Sequence, residues 1–147
     1  MIEFKKAILD EDTVKQLIDL SIKWVEEDCS FGMKANTIED IMKPCFIAKD
    51  GKKIVGYIFG NYYTEKRKRS NVSIGTKCFE IAELYVLPEY RNKGIGRKLF
   101  KMMEEEVKDS VEYITLSSST KDYNRILNFY VNENDMVFHS AYLFKKL

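Results

Sequence analysis

The chain has 147 residues, one domain's worth, and a domain of that size buries about 70% of its unfolded surface. Hydrophobic residues are 45% and aromatics 13%, which excludes a disordered chain. The 24 Lys and Arg against 23 Asp and Glu leave a net charge of +1, which argues against action through bulk charge on nucleic acid or an acidic membrane.

The elements read as follows in chain order. Ile2 to Ala7 alternates and predicts a strand. Asp10, Glu11 and Asp12 open a helix that runs to about Glu27, with Val14, Leu17, Ile18 and Val25 at helical spacing. Phe31-Gly32-Met33 breaks it. Thr37 caps a second, short helix over Ile38 to Met42, stopped by Pro44. Cys45 to Lys49 and Lys53 to Tyr63 are strands joined at Asp50-Gly51, a hairpin signal because glycine accepts the positive φ of a tight turn. Thr64 to Lys77 is a polar hairpin loop containing Lys66-Arg67-Lys68-Arg69, and Cys78 to Leu87 is a strand. Gly94 to Lys108 is a helix with Ile95, Leu99, Met102, Met103 and Val107 on one face. Glu112 to Ser117 is a strand, Asp122 to Val131 a helix, and Met136 to Lys146 a final strand or strand pair. Antiparallel strands followed by a βαβ crossover give an α+β fold with a mixed sheet.

The longest stretch without charge, Ile54 to Thr64, is far short of the roughly 20 apolar residues of a membrane helix. The first residues contain no apolar signal core, so no membrane or secretory role is expected. The three cysteines, Cys29, Cys45 and Cys78, fit neither a disulfide framework nor a metal pattern. They read as free thiols of a cytoplasmic protein. His139 is the single histidine, and no metal site is expected.

Val86-Leu87-Pro88-Glu89-Tyr90-Arg91-Asn92-Lys93-Gly94-Ile95-Gly96 carries the most information. A strand ends at Pro88, a basic glycine-containing turn follows, and a helix opens at once. Unpaired amides and the dipole at a helix N-terminus favour phosphate. Gly94 and Gly96 let the backbone approach an anion, and Arg91 and Lys93 add charge. A dinucleotide fold would need a third glycine at position 99, which is Leu.

Arg91-Asn92-Lys93-Gly94-Ile95-Gly96 matches Arg/Gln-x-x-Gly-x-Gly/Ala in full, and here the chain resembles the GNAT family of N-acetyltransferases. The hairpin at Asp50-Gly51 with Ile54-Val55-Gly56-Tyr57, and the strand Ala82-Glu83-Leu84-Tyr85-Val86, look like the family's pattern too. The resemblance implies a mostly antiparallel sheet with helices on both faces and splayed, parallel fourth and fifth strands. It also implies acetyl-CoA as acetyl donor. The pyrophosphate would lie on the amides of Arg91, Asn92, Lys93, Gly94, Ile95 and Gly96. The pantetheine would run between Leu84, Tyr85 and Val86 and the strand around Leu116, with an amide near Val86 polarising the thioester carbonyl.

Tyr123 to Tyr130 is similar to the family's second motif at Asn124, Phe129 and Tyr130. Leu127 replaces a small residue, and Met136-Val137 stands where Gly-Phe is usual. By resemblance Asn124 touches the cofactor and Tyr130 protonates the leaving thiolate. The chemistry is sensible, since a phenol of pKa ~10 can donate to a basic thiolate. An amine acceptor must also lose a proton before it attacks. Glu80 and Glu83 are the candidate bases, on opposite faces in regular alternation unless a bulge reverses one.

The acidic run Glu26-Glu27-Asp28 reads as a charged helix end, or as a rim for a cationic amine. The basic run at 66–69 reads as a solvated loop rather than a nucleic-acid site. The acceptor is a small-molecule or peptide amine, and the final strands are edges at which a homodimer could pair. A non-catalytic acyl-CoA sensor is the alternative function.

Overall fold

The computed structural model describes all 147 residues. Asp10 caps the first helix by accepting from the Thr13 N–H at 2.8 Å, and α1 runs Glu11–Glu26. Five strands follow chain order across one sheet, β1 (Ile2–Lys6), β2 (Cys45–Asp50), β3 (Lys53–Thr64), β4 (Lys77–Val86) and β5 (Tyr113–Thr115). All neighbours are antiparallel except β4 and β5, which are parallel. Helix α2 (Ile95–Val107) makes that crossover.

Ile54 through Gly60 on β3 are all buried, so the sheet is covered on both faces. The covers are α1 and α2, both of which pack on β3. Leu17 and Leu20 from α1 and Leu99, Phe100 and Met103 from α2 join the strand residues in one core. This is the expected α+β fold with a mixed, mostly antiparallel sheet.

Between β3 and β4 the register slips. Phe59 faces Glu83 and Gly60 faces Ile81, so Ala82 is an extra residue in β4. The crowding is severe at Gly60, where a Cβ would lie 2.0 Å from the Glu80 carbonyl oxygen and 2.8 Å from the Phe79 ring. Gly60→Ala is therefore expected to destabilise by about 3 kcal/mol, because the backbone at the bulge must move. Thermal unfolding checks this, and an unchanged Tm would mean that the bulge tolerates a side chain.

Four sequence expectations need correction. The second helix is a single 3-10 turn, Ile38–Asp40. Asp40 accepts from the Thr37 N–H at 2.7 Å, so the turn closes on itself. Strand β5 stops at Thr115 rather than Ser117 because the chain there parts from β4. The last helix is α-helical only over α3 (Tyr123–Leu127) and then widens into a π turn, Asn128–Glu133. Residues 136–147 form no strand. A three-residue edge offers too few hydrogen bonds to order a strand against it. The tail instead touches Ser70 through His139 at 2.9 Å and Phe31 through Phe144.

The basic loop is organised by Glu65. Its carboxylate accepts from the Arg67 N–H and from Arg69 Nε, each at 2.9 Å. No helix is long and apolar enough to cross a membrane. The three cysteines are free, two of them buried. Burial pushes the Cys45 thiol up to about 12, which leaves it protonated and inert.

Candidate active site

Strands β4 and β5 pair only from Cys78 to Glu80 with Tyr113 to Thr115. Past that point they part. The chain beyond β5 is next held by the loop after α1. Phe31 N–H donates to the Ser119 carbonyl and Lys121 N–H to the Cys29 carbonyl, both at 2.8 Å. Between the two attachments lies a cleft of 670 Å³, a size that suits an elongated ligand. It is bounded by β4, by Leu116 to Thr120, by the turn at 90–97 and by the π turn.

The edge of β4 facing this cleft can be read from its bonds. Leu87 N–H donates to Val55 on β3 at 2.9 Å. By strand alternation the Val86 N–H and carbonyl point the other way, into the gap. Gly94 adopts φ +79°, a left-handed cap that favours glycine. The first helical bond beyond it is Lys98 N–H to the Gly94 carbonyl, 3.0 Å. The amides just ahead of Lys98 therefore lack helical partners and are available to an anion. At Gly96 a Cβ would press on the Phe129 ring at 3.3 Å. Gly96→Val is accordingly expected to displace Phe129 and weaken CoA binding about tenfold. Calorimetry checks this, and an unchanged Kd would show that Phe129 yields freely.

The predicted cofactor and catalytic residues line this cleft, with three exceptions: Lys93, Glu80 and Asn124. Lys93 places its ammonium over the Tyr90 ring, 5.5 Å from the centroid. Glu80 is exposed and sits opposite Thr115, where β4 and β5 are still paired. Asn124 is exposed on α3. Arg91 lines the cleft, but its guanidinium is already engaged. It makes two 2.8 Å bonds to Glu27 and a third, from Nε, to the Val86 carbonyl.

The bulge at Ala82 brings Glu83 onto the same face of β4 as Glu80, since their partners Phe59 and Asn61 are two apart on β3, but Glu83 lies past the point where β5 pairs. Its Oε2 accepts from the Tyr57 hydroxyl at 2.7 Å and from Asn36 Nδ2 at 2.8 Å, while Oε1 receives no such donor. Burial raises its pKa, and the two bonds only partly offset that. Tyr130 sits in the π turn, its ring against Phe100 and Phe129. Burial raises its pKa, and no hydrogen bond of its hydroxyl contributes. The phenol therefore keeps its proton at neutral pH and is free to give it to something in the cleft.

Sequence reasoning missed several participants. Arg97 lines the cleft from the first turn of α2 and, unlike Arg91 and Arg125, has no ion-pair partner. Its signal was present, since it directly follows the second glycine of the turn. Asn36 and Tyr57 could be found only through the fold that brings them to Glu83. Glu27 is no rim for an amine, because its carboxylate is committed to Arg91 and to the Tyr85 hydroxyl at 2.6 Å.

The model of the acetyltransferase (GNAT) family matches residues 11–132. The chain belongs to that family. An acetyltransferase from Vibrio fischeri is similar at 26% identity and TM-score 0.59, over 81% of this chain and 98% of its own. A predicted acetyltransferase from Clostridium acetobutylicum, with acetyl-CoA, is 15% identical at TM-score 0.69, over 99% and 96%. An aminoglycoside acetyltransferase from an uncultured soil metagenomic sample, in complex with sisomicin, is 20% identical at TM-score 0.62, over 98% and 97%. No curated protein matches the sequence.

In this acetyltransferase the turn opens on an Arg91 whose three guanidinium bonds all stay within the chain. The Arg91 guanidinium also lies over the Tyr85 ring at 5.4 Å, and Trp24 stacks on the other residue of that pair at 5.1 Å. One carboxylate, one guanidinium and two aromatic rings tie the end of α1 to the end of β4.

Proposed function

We propose that this acetyltransferase moves an acetyl group from acetyl-CoA to a primary amine, by direct attack within a ternary complex. The observation that carries the reading is that Glu83, the Val86 amide, Tyr130 and the phosphate turn share one cleft. The residues present suit acetyl-CoA. The unpaired amides ahead of Lys98 and the Arg97 cation suit its phosphates. The Val86 N–H on the open edge of β4 suits a carbonyl of an extended amide-bearing arm, the Val86 carbonyl being held by Arg91. When bound, acetyl-CoA supplies an activated thioester.

The chain's own groups then have distinct tasks. Glu83 Oε1, directly or through one water, takes the proton that the acceptor ammonium must lose. Its raised pKa makes it a better base than an exposed carboxylate. Val86 N–H faces the gap and can stabilise charge that develops on a carbonyl oxygen. Tyr130 gives a proton to the departing sulfur. The nitrogen loses two protons in all: the first leaves on Glu83 before attack and passes to solvent, and the second, lost once the N–C bond has formed, returns to the Tyr130 oxygen through water, so one proton is released per turnover. Direct attack needs no covalent enzyme intermediate.

The acceptor is a small-molecule or peptide amine, and the setting a reducing cytoplasm. A thiol-release assay with a panel of amines tests the reading. Turnover with at least one amine is expected. CoA binding without turnover on any amine would overturn it in favour of an acyl-CoA sensor.

A further inference from the structure

The Arg91 side chain ends where two elements meet. Glu27 is the residue just past α1, and Val86 is the last residue of β4. Arg91 opens the turn between them and α2. Its three bonds at 2.8 Å use both terminal nitrogens on Glu27 and Nε on the Val86 carbonyl. Glu27 Oε2 also accepts the Tyr85 hydroxyl at 2.6 Å. The side chains of Glu27 and Arg91 are only 22% and 21% exposed, so solvent screens the pair weakly. A planar guanidinium held by a fork and a third bond has one orientation, and a single carboxylate sets it.

The Val86 carbonyl is on the cleft side of β4, on the same edge as the Val86 N–H. Without Glu27, the guanidinium keeps only the Tyr85 ring beneath it, 5.4 Å from the centroid, and no acceptor other than the Val86 carbonyl itself fixes its orientation. A freed Arg91 would leave the carbonyl unpaired and let the strand end and the turn shift together.

We propose that Glu27 is a positioning residue for the reaction, holding Arg91 on the Val86 carbonyl and so fixing the end of β4 and the start of the phosphate turn. Its catalytic meaning rests on the cleft being the acyl-CoA site proposed above. Glu27 itself touches no reacting atom. It acts through Arg91, so Glu27→Gln and Arg91→Gln must not be additive.

The test uses the full chain and CoA as probe. Wild type, E27Q, R91Q and the double variant are titrated with CoA, and KM and kcat are measured for acetyl-CoA. In parallel, NMR follows solvent exchange of the Arg91 Nε proton in wild type and E27Q without ligand. E27Q is expected to raise the CoA Kd about tenfold, as for loss of a half-buried charge-assisted pair. In the R91Q background the same change is expected to have less than about twofold effect. The Nε proton, protected in wild type, should exchange freely in E27Q. A Kd unchanged in E27Q, with only Tm lowered, would mean a purely structural pair and overturns the proposal. So does tighter binding, which would mean that Glu27 holds the cation back from the phosphates. A full tenfold loss persisting in R91Q also overturns it, because Glu27 would then act by another route. Failure of wild type to bind CoA removes the acyl-CoA reading and any role of Glu27 in the reaction, and it is told apart from the other failures because the Nε signal still reports whether the clamp exists.

Discussion

Tyr130→Phe is expected to lower kcat about 100-fold while leaving the Kd for CoA unchanged. The substitution removes one oxygen and keeps the ring that packs on Phe100 and Phe129, so the fold and the cleft wall persist. What is lost is the proton for the leaving sulfur, and general acid catalysis typically contributes at least about 100-fold. The pH profile gives a second check. An acid must be protonated to work, so activity falls as pH rises through the phenol's pKa. Burial holds that pKa above the ordinary phenol value, so the wild-type alkaline limb should lie above about pH 10. Steady-state kinetics with calorimetry measures both, and unchanged turnover in the variant would remove Tyr130 from the mechanism.

Glu83→Gln is expected to lower kcat/KM about 100-fold at neutral pH, with the loss shrinking as pH approaches the acceptor's own pKa of about 10. There the free amine no longer needs a base. In wild type, activity falls on the acid side as pH drops through the Glu83 pKa, which burial raises above the usual carboxylate range. The variant should lose that limb. The stability change has the opposite sign to the activity change. A folded-state pKa above the unfolded one means that the native chain binds more protons between the two values, so stability declines as pH rises across that window. Above it, the ionised carboxylate is a cost that glutamine lacks. E83Q is therefore expected to melt no lower than wild type at pH 7, which separates lost chemistry from lost fold. A pH profile identical to wild type would eliminate Glu83 as the base.

How far the sequence carried can be judged from particular residues. The strand–turn–helix from Val86 to Arg97 was legible because its residues are contiguous, and Gly94 at its centre adopts a positive φ. Helix α1 was legible for the same reason, with Asp10 as its cap. Glu80 and Glu83 could not be ranked from sequence. The choice depended on a bulge at Ala82, opposite Gly60, and on where β5 stops pairing with β4, neither of which the run of residues 80–83 announces. Asn36 and Tyr57 converge on Glu83 from distant parts of the chain, so no spacing could announce them. The tail misled because its apolar content fits a strand, whereas strand formation also needs an edge to pair with. The run at 26–28 misled in another way. Its charge suggested an open rim, and only tertiary structure shows the Glu27 carboxylate closed onto Arg91.

The bonds from Phe31 to Ser119 and from Lys121 to Cys29 have a consequence for how such a molecule can change. They make the segment after α1 a crossbar that sets the gap between β4 and the chain beyond β5. In the proposed reaction the same stretch would do two things, since Cys29 to Met33 line the cleft and also gauge the slot that would take the donor. Lengthening it to admit a bulkier amine would widen the slot as well, unless the crossbar itself were kept. If the cleft is the acyl-CoA site proposed above, new acceptors are reached most readily by changing Met33, which lines it just past the crossbar, while Cys29 to Phe31 hold the spacing and Asn36 stays on Glu83.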